Sequence, residues 1–107
     1  GLYRMLYLVE DRKLLTDLSW KFLAPVIEYD REHDAGYLET LESYLRNGGS
    51  IKAMSEELFI HRNTLVYRIE KIQKSLGLDL RNFDDALTFK IALMVVNYMK
   101  YLDSLEN

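Results

Sequence analysis

Between positions 61 and 74 the chain carries His61, Arg62, Asn63, Thr64, Tyr67, Arg68, Lys71 and Lys74, a dense set of hydrogen-bond donors with little negative charge among them. An Asn side chain presents a donor and an acceptor side by side and can pair bidentately with adenine N6 and N7. A valine methyl such as that of Val66 can touch a thymine methyl, and a phenol such as that of Tyr67 can meet a base edge or a phosphate. Guanidinium, ammonium, imidazole and hydroxyl groups donate to phosphate oxygens. Asn63, Val66 and Tyr67 are therefore the candidate base readers, and His61, Arg62, Thr64, Arg68, Lys71 and Lys74 the candidate phosphate contacts.

For that chemistry to work, one helix must hold these groups outward. Taking about 100° per residue, Leu65, Ile69, Ile72 and Leu76 fall on one stripe, and Asn63, Tyr67, Glu70 and Lys74 fall opposite. The predicted helix runs from about 62 to 75 and stops at Gly77. Ahead of it, Ile51 to Leu58 reads as a shorter helix, and Phe59-Ile60-His61 as the turn. A short helix, a tight turn and a second helix with a polar leading end is the arrangement that enters a DNA major groove. The crossing of the two helices requires a small residue, and Ser55 or Ala53 supplies one. Leu58 and Ile60 are placed to fill the angle. Thr64 or Asn63 can cap the second helix, whose N-terminal N–H groups suit a phosphate. His61 can donate to a phosphate or bond within the turn. Glu70 on the outward face opposes phosphate unless it accepts from cytosine N4.

Helical periodicity also dominates the rest of the chain. Residues 2–9 are apolar nearly all round. Leu14, Leu15, Leu18, Phe22 and Leu23 follow a helical period, which Pro25 is expected to interrupt or kink, with a further short helix over 26–34. Tyr37, Leu38, Leu41, Tyr44 and Leu45 form an amphipathic stripe that ends at Asn47-Gly48-Gly49, and Ser50 is placed to cap the next helix. Asn82 or Asp84 can cap a last long helix ending near Leu105. The economical architecture is all-α with about six helices: a lead-in segment over 1–34 packed on a helix-turn-helix domain over 35–107, in one compact unit.

Composition narrows the function. With 107 residues, 49% of them hydrophobic and 29% charged, the chain suits one globular domain with one core. It has no cysteine, which excludes disulfides, thiolate catalysis and thiolate-bound zinc. The net charge is −3, yet between Phe59 and Leu76 four cations face only Glu70. A basic helix on an acidic body can orient docking while limiting non-specific attraction. No apolar run approaches a membrane span, the longest being Ile91 to Val96. Glu28, Asp30, Glu32, His33 and Asp34 hold metal-ligand types, but one histidine in a solvated corner makes a poor site. No phosphate loop and no nucleophile with a placed base is present. The expectation is a non-enzymatic cytoplasmic protein without metal or cofactor.

Leu58-Phe-Ile-His-Arg-Asn-Thr-Leu-Val-Tyr-Arg-Ile69 resembles the signature of the PucR/CdaR family of bacterial transcriptional regulators, "hydrophobic-His-Arg-Asn-Thr-x-x-Tyr-Arg-hydrophobic". Tyr37 to Leu45 is similar to that family's "Leu-x-x-Thr-Leu-x-x-Tyr-Leu" helix, and Leu76-Gly-Leu-Asp-Leu80 to its "Gly-x-Asp-Leu" connector. Leu87 to Met94 is similar to its closing helix, and Gly1 to Leu6 with Leu23 to Asp30 to the approach into the domain. Ser55 stands where the family usually has Ala. The helix pair also resembles that of Fis-type DNA-binding proteins. The resemblance implies a C-terminal DNA-binding output domain, a fragment of a longer regulator whose upstream region binds any small-molecule inducer. Family members control catabolic or biosynthetic genes, often for purines or sugar diacids. The expected partners are double-stranded DNA and a second copy of the chain, since helix-turn-helix proteins pair to meet two half-sites. The alternative is a helical protein-interaction or dimerisation module that uses the same face.

Overall fold

The computed structural model describes Arg4 and residues 11–106, and among them there are five helices and no strand. They are α1 (Arg12–His33), α2 (Tyr37–Arg46), α3 (Ile51–Leu58), α4 (Arg62–Leu76) and α5 (Phe83–Glu106). The apolar stretch over 2–9 lies, Arg4 apart, outside the described residues.

Pro25 does not divide the first helix. The expected break and separate short helix over 26–34 are replaced by one continuous helix of 22 residues. Proline removes the hydrogen bond to the carbonyl four residues earlier and crowds it. Here that carbonyl belongs to exposed Lys21, Pro25 itself is exposed, and water can take the lost donor's place. On the opposite side, Leu23 and Val26 are both fully buried and hold the helix on either side of the ring.

Most of these helix termini have an identifiable stop or cap. Asp11 Oδ1 accepts the Leu14 N–H at 3.1 Å and starts α1. Asp34, in the left-handed conformation, ends it. No side chain of its own sequence neighbourhood caps α2. Its first two N–H groups, those of Tyr37 and Leu38, donate instead to the two carboxylate oxygens of Asp30 at 2.8 and 2.9 Å, one turn back on α1. This cap fixes the angle between the two helices. Ser50 Oγ accepts from Ala53 N–H and caps α3, as its position predicts. Gly77 closes α4 with φ +66, and Asn82 Oδ1 accepts from Asp85 N–H at the start of α5.

The core draws on every helix: Leu23 and Val26 of α1, Leu41 of α2, Met54 of α3, Leu65 and Ile72 of α4, and Phe89 and Val96 of α5. Phe22 meets Phe89 edge-on at a centroid distance of 5.3 Å, which locks α1 to α5. α4 packs against α1, α2 and α3, while α5 packs on α1 and α2. The connector after α4 is pinned where Leu80, buried, donates its N–H to Gln73 Oε1 at 2.7 Å. Among the described residues every buried side-chain nitrogen or oxygen has a partner.

A polar clamp sets α3 against α2. The Arg46 guanidinium pairs with Glu57, and Asn47 Nδ2 donates to the other Glu57 oxygen at 3.1 Å. These donors, Arg46 first, pull the Glu57 carboxyl from its ordinary value near 4.5 down to about 2. A carboxyl depressed in the folded state contributes stability above its unfolded value and loses it as pH falls through the folded one. The thermal midpoint of the wild type is therefore expected to exceed that of Glu57→Gln at pH 5 and to converge on it as pH falls from about 4.5 to about 2. Parallel melts followed by circular dichroism across that range check this, and a constant gap would remove the clamp's contribution.

Candidate nucleic-acid interface

The turn between α3 and α4 is built without glycine. α3 ends at Phe59, which takes the left-handed conformation at φ 55 and leaves its ring 95% exposed. Ile60 then tucks against the core. Ser55 Oγ donates to the Ile60 carbonyl at 2.6 Å and ties the turn back to α3. Ser55, one of the two small residues expected at the crossing, thus has a task that Ala could not perform.

His61 is the N-cap of α4, a role the sequence placed on Thr64 or Asn63. Its Nδ1 accepts the Asn63 N–H at 3.1 Å. Thr64 and Asn63 lie inside the first turn, where helical backbone angles leave their side chains free of capping. With Nδ1 accepting, the neutral imidazole carries its proton on Nε2, so the ring can still donate to an anion outside the turn. The two roles considered for His61 are compatible.

Along α4 the division between faces follows the expected stripe. Leu65 and Ile72 are fully buried, Ile69 is 8% exposed, and Leu76 packs partly against the core. His61, Arg62, Asn63, Thr64, Val66, Tyr67, Glu70, Lys71 and Lys74 are all exposed. Of the candidate base readers, Tyr67 is 57% exposed and Val66 38%, and Asn63 is exposed as well. Lys71 Nζ lies 5.4 Å from the Tyr67 ring centroid, a cation–π contact on the exposed face of α4. A shallow groove runs from Val66 and Glu70 to Tyr44, Gly49 and Arg81, along the flank that faces α2 and α3.

Arg68 differs from the other candidate phosphate contacts. It is half-buried and turns toward the corner between α1 and α2. There Tyr29 stacks on both His33 and Tyr37, at centroid distances of 4.2 and 4.7 Å. Burial, reinforced by Tyr29, pushes the Tyr37 hydroxyl up to about 12, and the Arg68 charge acts against that rise. Nothing in the local pattern signals this corner, since it joins residues that meet only once α1, α2 and α4 have packed.

The acidic residues before α2 do not gather. Asp30 is committed to the α2 cap, and His33 Nδ1 faces the Tyr29 carbonyl at 3.1 Å. Among the described residues no group of three or more histidine and carboxylate side chains is placed to hold a metal ion.

A buried stripe, a tight turn and an exposed polar leading end define a helix-turn-helix DNA-binding domain. Residues 37–95 match the PucR C-terminal helix-turn-helix domain, and the chain belongs to that family. It is 36% identical over 96 residues to the proline-responsive transcriptional activator PutR of Bacillus subtilis, covering 90% of this chain and 23% of that protein. It is 48% identical over 56 residues to the carbohydrate diacid regulator of Escherichia coli, covering 52% of this chain and 14% of the relative. Against the purine catabolism regulatory protein of Bacillus subtilis the identity is 32% over 85 residues, covering 79% and 15%. The chain thus spans less than a quarter of the length of these relatives. No solved structure matches it. Family membership assigns to this domain sequence-specific DNA binding in transcription regulation. Among the described residues no helix is long and apolar enough to cross a membrane.

The exposed Phe59 provides a stability test of the turn. A non-glycine residue in the left-handed region costs about 1–2 kcal/mol, and a ring in solvent returns almost nothing. Phe59→Gly is expected to raise stability by roughly 0.5–1 kcal/mol once the greater freedom of glycine in the unfolded chain is subtracted. Urea denaturation measures it, and a loss of stability would show that the Phe59 ring packs in solution.

Proposed function

We propose that α4 is the recognition helix of this domain and enters the major groove with its first two turns. The observation that carries the reading is the opposition of faces on α4: Leu65 and Ile72 fully buried, and Asn63, Val66 and Tyr67 exposed on the other side. Asn63 sits in the first turn, where a helix inserted by its N-terminus comes nearest the base edges. Its amide reads adenine, Val66 meets a thymine methyl, and Tyr67 contacts a base or the adjoining backbone. Arg62, Thr64 and the Nε2 of His61 surround the N-terminus of α4, whose dipole also favours phosphate. Lys71 and Lys74 meet the backbone further along, and Arg68 meets it from the α1–α2 side.

The chain works in this reading as the output module of a transcriptional regulator in the cytoplasm, without catalytic activity of its own. The relatives' names speak of proline, carbohydrate diacids and purine catabolism, so a small metabolite sensed outside this domain is the expected signal. Two copies acting together match the two half-sites that such domains read.

Selection from a random duplex library, followed by titration of the winning and a scrambled duplex, tests the assignment. Asn63→Ala is expected to cost roughly 1–3 kcal/mol on the selected duplex and little on the scrambled one. Lys71→Ala is expected to weaken both duplexes alike and to make the slope of log K against log salt shallower by about 0.9. Equal losses on both duplexes for Asn63→Ala would remove base reading from that residue.

A further inference from the structure

Gly36 is the N-cap of α2 and sits at φ +70, yet the left-handed backbone is only one of its constraints. A Cβ at position 36 would lie 3.3 Å from Nη1 of Arg68, tighter than ordinary van der Waals contact. The absent side chain makes a notch, and the guanidinium of α4 occupies its mouth. Arg68 is half-buried there. Arg46 and Arg81 are each paired with a carboxylate, whereas Arg68 has no hydrogen-bond or ion-pair partner among the described residues. A half-buried guanidinium has lost part of its hydration and part of its rotamer freedom before any ligand arrives. Among the described residues its donors meet no acceptor. A phosphate oxygen supplies both the missing charge and planar, bidentate acceptor geometry.

We infer that Gly36 is a positioning residue for DNA binding: its notch pre-orients Arg68, so that the guanidinium meets a backbone phosphate on the α1–α2 side of the recognition helix. This inference rests on the DNA reading given above. It separates Arg68 from Arg62, Lys71 and Lys74, whose exposed side chains must be ordered at the moment of binding. It also gives the α1–α2 corner a part in recognition. The Asp30 cap, which holds the start of α2 by two hydrogen bonds, fixes where the notch stands relative to α4.

The test is a double-mutant cycle on the 107-residue chain, with the library-selected duplex and its scrambled counterpart as probes. Gly36→Asn is the informative substitution, because Asn tolerates the left-handed backbone yet introduces a Cβ. Gly36→Ala is its strained companion, and circular dichroism melts establish that each variant is folded at the assay temperature. Arg68→Ala is expected to weaken both duplexes about tenfold and to make the salt slope shallower by about 0.9. Gly36→Asn is expected to weaken both about tenfold in the wild-type background and less than about twofold beside Arg68→Ala, because the contact it disturbs is already gone. An unchanged salt slope in Arg68→Ala, or an equal loss from Gly36→Asn in both backgrounds, would overturn the inference. Unfolding of Gly36→Asn but not of its combination with Arg68→Ala would also overturn it, by making the notch a matter of stability alone. If the wild type bound neither duplex, the DNA reading would fall first and this inference with it.

Discussion

Leu65, Ile69 and Ile72 bury one side of α4 in a core that α1, α2, α3 and α5 all supply, and that burial decides what the other side can do. A helix so fixed cannot rotate without withdrawing two fully buried side chains, each worth roughly 1.5–3 kcal/mol of apolar transfer. The outward direction of Asn63 and Tyr67 therefore follows from packing and needs no support from a nucleic acid. Small domains often form binding surfaces from mobile loops. Here the candidate readers stand on a rigid element, which lowers the ordering cost of recognition.

Around that helix the fold spends its polar groups on angles between elements. Asp30 caps α2 from α1, and Glu57 holds α3 to α2 through Arg46 and Asn47. Ser55 ties the turn to α3, and Gln73 ties the following connector to α4. The first two join one helix to the next and the last two join a helix to the loop that follows it, so together they set geometry that apolar contact alone leaves loose. The acidic body has a related electrostatic consequence. Carboxylates such as Asp30 and Glu57 are occupied within the scaffold, while the basic side chains of α4 remain in solvent apart from Arg68. A chain of net charge −3 can thus present a locally positive edge.

The turn and the α1–α2 corner show two ways of storing constraint beside α4. Phe59 adopts a left-handed backbone that glycine would take more easily, and its ring is left in water. Gly36 adopts a similar backbone where a side chain would press on Arg68. The first is a local strain carried by the surrounding packing. The second is a steric vacancy between elements, visible only when α2 and α4 are seen together.

The register of α4, the short helix before it, the stops at Asn47-Gly48-Gly49 and Gly77, and the Ser50 cap were all legible in the chain, because periodicity and backbone preference act over a few residues. His61 as the α4 cap was harder to read, since imidazole is not among the usual capping groups. The continuity of α1 through Pro25 was not legible at all: the rule against proline in a helix is local, while the burial of Leu23 and Val26 that outweighs it comes from distant partners. The same applies to Asp30, Glu57 and Arg68, whose types announced charge but not its destination. Local sequence settled which residues of α4 face inward and which face out, because a helix repeats on its own. Tertiary packing alone settled which polar side chains hold the scaffold and which are left for a ligand, because that assignment depends on what stands opposite each of them.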